Sequence, residues 1–473
     1  MLRPWEIEVQ IDRNLEKPIY LQIADAIIND IYFGRLKFGD ALPGSRKLAG
    51  ILKVNRNTIV EAYDVLLSEE WAVSKARKGI FVSDKLPDLQ GHLGKDEMVI
   101  EPEVNTKNVQ LIHLDDGAPD TKLAPIEELA RAHRQIFNRK AKWQMMGYGE
   151  ERGDAEFRKA ISQMLNHQRG MYINKEDVFI TRGSQMALYL SAQCFLEKED
   201  IVLVENPGFR NVWNVFEAVG AQLIPITVDK EGIVVDDIAK LLKQGKKIKA
   251  LYVTPHHQYP TTVTLSLKRR LELIGLSNKY GFTIIEDDYD NEFHFGYRPL
   301  FPLSSYQQLK NYIYIGSMSK VVAPALRIGY LATKDQELLE KIIRLRRMID
   351  VQGDNIMEQA VLQLMNDGTI KKHIKKITSH YKAKRDFTYQ LLEKYLKDKV
   401  NYHLPKGGLS FWLVPKKDID WQNVVVQLLR QNIQILHPDI YGLNNKINGF
   451  RLSYGAISEE KIEQSIKIIA EFF

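Results

Sequence analysis

The sequence of 473 residues contains one cysteine, Cys194, so no disulfide can form within the chain. No run reaches the ~18 apolar residues that a membrane-spanning helix requires, and residues 1–6 lack the apolar core of a signal peptide. These absences argue against a disulfide-rich secreted protein and against a membrane partner. We therefore expect a cytoplasmic protein with a buried, structural thiol.

A strong excess of charge of one sign is also missing. The chain has 66 Lys and Arg against 60 Asp and Glu, and its formal net charge of +6 fits a nucleic-acid partner only where basic residues cluster. The 44% hydrophobic and 27% charged content is typical of folded globular protein. At this length we expect two or three domains.

The first 83 residues begin with a pattern of three amphipathic helices. An isoleucine-rich stretch that ends at Gly34 predicts the first helix. Residues 46–52 predict the second, and Ser45 can cap it. The third is predicted to begin near Arg56, because apolar residues recur at helical spacing after it.

A tight turn over residues 53–55 separates the second and third helices, and polar groups occupy the N-terminus of the third. Two helices arranged in this way predict a helix-turn-helix. Residues 72–74 and 80–82 then predict a hairpin around a basic loop, which would form a wing. The pattern alone leaves open an ordinary three-helix bundle with a charged surface.

Four residues near strand ends form the second strong signal. Lys320 follows a buried-strand pattern, Asp287 and Tyr289 follow another, and Arg327 lies a few residues beyond the lysine. A lysine for a Schiff base, a carboxylate for a pyridinium nitrogen and an arginine for a phosphate are the groups that hold pyridoxal phosphate. Lys320 taken alone could be a solvated loop amine.

From about residue 111 to residue 333, short apolar runs alternate with helical patterns, which predicts a mostly parallel sheet covered by helices. Beyond residue 337 the pattern predicts two long helices, then an α+β region with a closing helix over residues 458–473. The runs that predict sheet strands are residues 178–180, 201–204, 221–224, 250–253, 282–285 and 312–315. The runs in the C-terminal region are residues 411–414, 433–436 and 450–454.

Two sets of motifs resemble known families. Asp287-x-Tyr289, Ser317-x-Ser319-Lys320 and Arg327 resemble the fold-type I aminotransferases. Leu-Pro-Gly-Ser-Arg-Lys-Leu-Ala at residues 42–49 and Val-Asn-Arg-Asn-Thr-Ile at residues 54–59 resemble the winged helix-turn-helix of the GntR superfamily. Together they make the chain similar to MocR/GabR-type transcriptional regulators.

That resemblance implies a multidomain fold: a mainly α winged helix-turn-helix, then an α/β pyridoxal-phosphate-dependent transferase of fold type I with a small α+β C-terminal domain. The implied division is residues 1–83 for DNA binding, 84–110 as a linker, 111–336 as the large cofactor-binding domain and 337–473 as the small domain.

The resemblance also assigns cofactor-binding residues to pyridoxal phosphate. Lys320 would form the Schiff base, Asp287 would pair with the pyridinium nitrogen, and Tyr289 would meet the phenolic oxygen. Gly183, Ser184 and Gln185 would form the phosphate turn, and Ser317, Ser319 and Arg327 would bind the phosphate. Phe209 would stack on the cofactor ring, and Tyr148 would reach the phosphate of the partner subunit. The neighbouring acids Glu286, Asp288 and Asp290 are expected to cap helices or face solvent.

The resemblance further implies an effector site and a DNA-binding surface. Arg451 would bind an effector carboxylate, with Arg210 as a second candidate. Tyr259 stands before proline where common aminotransferases carry asparagine, which favours the regulators. The expected DNA-binding residues are Ser45, Arg46, Arg56, Asn57, Thr58, Lys75, Arg77 and Lys78.

The function that this resemblance implies is a pyridoxal-phosphate-dependent, DNA-binding transcriptional regulator. It would sense an amino-acid-like effector, or pyridoxal phosphate itself, through an aldimine at Lys320. A double-stranded operator and a homodimer are the expected partners. The main alternative is an active aminotransferase with an accessory DNA-binding domain. A DNA-binding protein with a dead cofactor site is disfavoured, because Lys320, Asp287 and Arg327 are all present.

Overall fold

The computed structural model describes residues 9, 11–13, 15, 17–76, 78–84, 111–114, 117–138, 143, 146–290, 292–296 and 300–473. The chain divides into two compact units, residues 1–105 and 106–473. Of the predicted linker, only Asp84 lies within the described residues, so the linker stays a prediction. No helix in the described ranges is long and apolar enough to cross a membrane.

The first unit has the three helices and the hairpin that the sequence predicts. The elements are α1 (Ile19–Tyr32), α2 (Ser45–Leu52), α3 (Arg56–Ser68), β1 (Ala72–Lys75) and β2 (Gly79–Val82). Ile27 of α1, Leu48 of α2 and Ile59 of α3 are fully buried in one core, so each helix contributes its apolar face. The two strands pair antiparallel, with Lys75 opposite Gly79 at the tip.

The second unit begins with β3 (Ile112–His113) and contains an eight-stranded sheet. The sheet strands are β4 (Val178–Thr181), β5 (Ile201–Asn206), β6 (Gln222–Asp229), β7 (Gly232–Ile233), β8 (Ile248–Val253), β9 (Thr283–Asp288), β10 (Tyr312–Ser317) and β11 (Gly329–Ala332). Their order is β4-β11-β10-β9-β8-β5-β6-β7, and the four adjacent pairs from β10 to β6 are parallel. The predicted mostly parallel sheet is confirmed.

Helices cover both faces of this sheet, which explains the uninterrupted apolar runs of its central strands. Successive residues of β9 belong to different clusters, because Ile284 packs in one core and Ile285 in another. The helices of this unit are α4 (Ile126–Asn138), α5 (Ala155–Arg169), α6 (Ser184–Phe195), α7 (Arg210–Ala218), α8 (Val235–Lys243), α9 (Leu267–Tyr280), α10 (Gln336–Ile349), α11 (Asn355–Asn366), α12 (Thr369–Tyr395), α13 (Trp421–Arg430) and α14 (Glu459–Ala470).

The C-terminal region differs from the expectation in two respects. Three helices, α10, α11 and α12, follow the sheet where two long helices were predicted. The strands are β12 (Val400–Asn401), β13 (Ser410–Pro415), β14 (Ile433–Gln434) and β15 (Phe450–Ser453), of which β12, β13 and β15 form one antiparallel sheet. Strand β14 instead pairs in parallel with β3. The division at residue 336 stays a prediction, since Ile112 packs in the same core as this region.

Candidate functional site

Lys320 lies in the turn that directly follows β10. Strands β9 and β10 are parallel, so their carboxyl ends meet at one edge of the sheet, where ligands of α/β proteins bind. The half-buried Lys320 places its Nζ 4.5 Å from the centroid of the Tyr289 ring. The structure therefore brings the predicted lysine and the predicted Asp287-x-Tyr289 motif together.

The carboxylate of Asp287 is buried and only partly hydrogen-bonded. Its Oδ2 accepts a 2.9 Å hydrogen bond from the hydroxyl of Tyr252, while its Oδ1 has no hydrogen-bond partner among the described residues. Burial raises the pKa of Asp287 to about 7, opposed by the Tyr252 hydrogen bond and by the charge of Lys320. A buried carboxylate with one open oxygen is suited to a cationic N–H donor.

The expectation that Glu286, Asp288 and Asp290 would face solvent is wrong, because all three are buried. They lie on or directly after β9, an interior strand covered on both faces by helices. Glu286 retains a capping role, since it accepts hydrogen bonds of 2.8 and 2.9 Å from the amides of Leu303 and Ser304 in a short 3-10 turn.

The other two acids are each paired with a buried base. Asp288 lies 3.1 Å from the guanidinium of Arg169 and accepts a 2.6 Å hydrogen bond from the hydroxyl of Tyr314. Asp290 lies 2.7 Å from Nδ1 of His257. The acidic run thus forms a buried hydrogen-bonded array, in which Asp287 accepts its hydrogen bond from the hydroxyl of Tyr252.

Gly183 and Arg327 lie together at the start of α6. Gly183 is the N-cap residue with φ +80, and no side chain caps this helix. A Cβ added to Gly183 would lie 2.6 Å from Nη2 of Arg327, which donates a 3.3 Å hydrogen bond to the carbonyl of Arg182. The positive φ favours glycine here, and a Cβ would displace the Arg327 guanidinium. An open helix N-terminus beside an arginine is an anion site.

The predicted serines lie near this anion site on their own turn. The amide of Ser319 donates a 3.1 Å hydrogen bond to Oγ of Ser317, while the buried Oγ of Ser319 has no hydrogen-bond partner in the described part of the chain. Ser184 is the first residue of α6, and the Gln185 side chain donates a 3.4 Å hydrogen bond to the carbonyl of Asn211. The Ser319 hydroxyl is therefore a group still open for a ligand.

Arg451 is buried, and its guanidinium is only partly satisfied. Its Nε donates a 3.0 Å hydrogen bond to Oγ of Ser410, and Cζ lies 4.6 Å from the ring centroid of Tyr259. Nη1 is buried without a hydrogen-bond partner among the described residues. Arg210 has different surroundings: it lies 3.9 Å from Glu217 on its own helix, α7. Of these two predicted effector residues, Arg451 is the one that combines burial with an open donor.

An aromatic cluster connects the predicted cofactor and effector residues. The ring centroids of Phe209 and Tyr259 are 4.8 Å apart, and the Tyr259 ring is 6.4 Å from Tyr289. Tyr441 lies 6.0 Å from Tyr259 on another side. The sequence indicated Tyr259 only as a departure from asparagine and gave no sign of Tyr441. Tyr252 was also missed, although a tyrosine inside the aliphatic run of β8 was a usable signal.

The helix-turn-helix has the predicted arrangement with one shift at a cap. Asn55 caps α3 by accepting a 2.9 Å hydrogen bond from the amide of Asn57. The prediction that Ser45 caps α2 is wrong: Gly44 is the N-cap residue, and Oγ of Ser45 accepts a 3.4 Å hydrogen bond from Nε of Arg56. Helix ends vary by a residue or so, and here the serine joins the two helices instead.

The predicted DNA-contacting side chains lie on the surface of this unit. Arg46, Arg56, Asn57, Lys75 and Lys78 are exposed, and Thr58 is partly buried. Nζ of Lys75 lies 4.9 Å above the ring of Phe81 on the opposite strand of the wing. Arg77 lies outside the described residues. In the second unit, the side chain of Tyr148 is 90% exposed on the single chain. The roles of all these residues stay predictions.

Comparisons with known proteins decide the family. A family model for aminotransferase class I and II matches residues 109–469, and one for bacterial regulatory proteins of the gntR family matches residues 19–82. The chain belongs to the aminotransferase class I and II family. This aminotransferase-family protein also carries a gntR-type helix-turn-helix at its N-terminus, which is the MocR-type arrangement.

Three relatives illustrate both parts. The aminotransferase-family chain is 26% identical to the uncharacterized HTH-type transcriptional regulator YisV of Bacillus subtilis, over 98% of this chain and 97% of that protein. It is 28% identical to the HTH-type transcriptional regulator NorG of Staphylococcus aureus, over 90% and 97%. A crystal structure of a kynurenine aminotransferase from Pyrococcus horikoshii matches with a TM-score of 0.72 and 28% identity, over 77% and 91%.

The family and its solved relatives establish pyridoxal phosphate as the cofactor. The residues present fit it at both ends. The buried, open Oδ1 of Asp287 suits a pyridinium N–H, and the open Oγ of Ser319 suits a phosphate oxygen. Gly183 leaves the helix terminus accessible beside Arg327. Lys320 lies at the same sheet edge as Asp287, as the lysine of such a site must.

Proposed function

We propose that this protein is a pyridoxal-phosphate-dependent transcriptional regulator whose binding to DNA responds to an amino compound, or to the cofactor itself, at Lys320. The observation that carries the proposal is similarity along nearly the full length to proteins named as transcriptional regulators, with both units in one chain. The aminotransferase structure from P. horikoshii instead covers 77% of this chain.

The proposed DNA interface is the exposed polar N-terminus of α3 together with the wing. Arg56 and Asn57 are exposed at the start of α3, which would enter the major groove. Lys75 and Lys78 are exposed on the wing and would contact phosphates. Most of the predicted contacts are cationic or amide donors, which suits double-stranded DNA.

The proposed sensor is the site at the carboxyl edge of the large sheet. When bound, the cofactor supplies an aldehyde that can condense with Lys320 or with an incoming amine. Asp287 would hold the positive charge of the pyridinium, and the α6 terminus with Arg327 and Ser319 would hold the negative phosphate. Tyr289 orients its hydroxyl by donating a 2.9 Å hydrogen bond to the carbonyl of His257.

The proposed effector is an amine that also carries a carboxylate. The buried Nη1 of Arg451 has no hydrogen-bond partner among the described residues. A guanidinium pairs with a carboxylate through two parallel hydrogen bonds, and a neutral ligand cannot form this ion pair. The Nε of Arg451 is held by Ser410 and one face is covered by Tyr259, so the open side of the guanidinium has a fixed direction. Arg210 stays a weaker candidate, because Glu217 already lies within 3.9 Å.

The test begins by selecting a DNA ligand from random duplexes with the full-length, cofactor-saturated protein. Affinity for that duplex is then measured while amino acids and amines are added. We expect one class of compound to change the affinity of the natural protein, while Lys320→Ala still binds DNA but loses the response. An unchanged response in Lys320→Ala would remove this lysine from the mechanism. Lys279→Ala, an exposed lysine on α9, is the matched control.

The competing function is a turning-over aminotransferase, favoured by the intact set of Lys320, Asp287 and Arg327. The same titrations separate the two, because an enzyme releases keto acid in multiple equivalents when an amino donor and a keto acceptor are supplied. A regulator gives at most one equivalent per chain. Sustained release would make catalysis the primary activity.

We also propose that the protein is a homodimer. The exposure of Tyr148 on the single chain supports this, because a tyrosine that completes the partner subunit's phosphate site would not pack against its own chain. Sedimentation of the holoprotein tests the state directly. Tyr148→Phe should then weaken cofactor binding without changing the sedimentation coefficient, whereas a monomer under all conditions would contradict the proposal.

A further inference from the structure

A cavity of ≈ 410 Å³ in the second unit lies beside the buried acids Asp288 and Asp290, and its lining contains none of the residues assigned to the cofactor or the effector. Of the nine described residues that line it, five are basic and none is acidic. The basic residues are His256, His257, His294, Arg385 and Lys406.

Two of the histidines turn their Nδ1 atoms away towards carboxylates. Nδ1 of His256 lies 3.1 Å from Oδ1 of Asp288, and Nδ1 of His257 lies 2.7 Å from Oδ1 of Asp290. Nε2 of His256 lies 2.8 Å from the carbonyl oxygen of Leu300. Because a carbonyl oxygen only accepts, Nε2 of His256 donates its proton in that contact.

His294 and Lys406 are the groups of the cavity that have room for a ligand. His294 is partly buried, and Lys406 is exposed without an ion-pair partner among the described residues. Burial lowers the pKa of His294, and the positive charges of His257, His256, Lys406 and Arg169 lower it further. Lys406 adds a positive charge to the lining, whereas His256, His257 and Arg385 each have a carboxylate neighbour.

Arg385 belongs to the wall of the cavity. Its Nη1 donates a 2.8 Å hydrogen bond to the carbonyl of Pro405, its Nε donates one to Asp386, and its Cζ lies 4.8 Å above the ring of Phe295.

A metal ion is a poor occupant, because the described residues contain no group of three ligands that could hold one.

The cavity lies where two distant segments join. The amide of Phe295 donates a 2.8 Å hydrogen bond to the carbonyl of Lys406, and the amide of Gly408 donates one of 2.8 Å to the carbonyl of Phe293. His294 is on the first segment and Lys406 on the second. An anion that binds both side chains would therefore hold the two segments together. Two residues beyond Gly408 lies Ser410, which accepts a hydrogen bond from Arg451.

We propose that this cavity binds a small oxyanion, a phosphate or a carboxylate, between His294 and Lys406. The proposal stands independently of any role in transcription, since it requires neither DNA nor an effector.

The test is calorimetric titration of inorganic phosphate into the full-length, cofactor-saturated protein at constant ionic strength, with malonate as a second arm. We expect saturable binding that Lys406→Gln weakens about tenfold, the loss of one charge-assisted hydrogen bond. Lys406→Arg should restore it, and Lys246→Gln, another exposed lysine, should leave it unchanged. Tighter binding of phosphate than of malonate would identify the natural ligand as a phosphate, and the opposite order would identify it as a carboxylate.

Hydrogen exchange locates the bound ion. We expect phosphate to slow exchange at residues 293–296 and 406–408 in the natural protein and to have no such effect in Lys406→Gln. Binding that Lys406→Gln leaves unchanged, protection confined to the DNA-binding unit, or no binding of either anion would each overturn the proposal.

Discussion

The hydroxyl of Tyr252 donates a 2.9 Å hydrogen bond to Oδ2 of Asp287, on the neighbouring parallel strand. This bond fixes the carboxylate so that Oδ1 remains the only buried oxygen of Asp287 without a partner among the described residues. Tyr252 is thus a positioning residue for the group that meets the pyridinium nitrogen. Its effect is measurable in cofactor affinity.

Tyr252→Phe should weaken pyridoxal phosphate binding by about fivefold, because one buried hydrogen bond contributes roughly 1 kcal/mol. Equilibrium titration of the apoprotein with cofactor checks this. Tyr314→Phe is the matched control: its hydroxyl makes a similar 2.6 Å bond to Asp288, which Arg169 also contacts. Equal losses in both variants would mean that the effect is general destabilisation.

Asp287→Asn should stabilise the apoprotein in a pH-dependent way. Burial raises the pKa of Asp287 from 3.8 to about 7, so the folded state prefers the protonated acid. The cost of burying the ionised form is absent below the unfolded pKa, grows as the pH rises between the two values, and is constant above about 7.

The melting temperature of Asp287→Asn minus that of the natural apoprotein should therefore increase from about pH 5 to about pH 7 and then level off. Asp236→Asn, which replaces an exposed acid on α8, should show no such trend. Saturating cofactor should reverse the order of stability, because the pyridinium compensates the Asp287 charge. A difference that is flat with pH would contradict the raised pKa.

Arg451→Lys should separate recognition of the carboxylate from recognition of the amine. Lysine keeps the charge but loses the paired N–H geometry, so affinity for an α-amino acid should fall about tenfold or more. Affinity for the matching amine without a carboxylate should change little. The visible spectrum of the holoprotein, titrated with each compound, measures both. Arg210→Lys is the comparison, and a larger loss there would transfer the carboxylate role to Arg210.

Asn55→Ala should destabilise α3 by about 1 kcal/mol, since the Asn55 side chain caps the helix by accepting from the amide of Asn57. Asn55→Ser should retain most of the stability, because serine caps comparably. Hydrogen exchange of the α3 amides in the full-length protein reports the change. Loss of protection in both variants to the same extent would mean that asparagine acts there in some other way.

Lys75→Ala should weaken binding to the selected duplex uniformly across sequences and reduce the slope of log affinity against log salt by about 0.9. The reason is that a wing lysine contacts phosphate and not a base edge. Lys17→Ala, before α1, is the control, since its ammonium already pairs with Asp25. A slope that does not change would exclude Lys75 from the interface.

The periodic parts of the fold could be predicted because they depend on local sequence. The stripe that includes Ile59 and Leu66 determines a buried helix face, and the apolar runs of β9 and β10 determine strands buried on both faces. Ser45 was misassigned as a cap because a shift of one residue leaves the local pattern unchanged. Its contact with Arg56 depends on how the helices pack.

The sequence by itself determined the chemical inventory of this protein: the lysine, the carboxylate, the arginine, the glycine turn and the helix-turn-helix motifs, whose types and order identify the family. Only the tertiary structure decided which groups are buried and which remain open. Burial depends on neighbours far apart in the chain, as with Asp290 and His257 or Arg451 and Ser410. The tertiary fold therefore made Asp287 Oδ1 and Arg451 Nη1 the available groups.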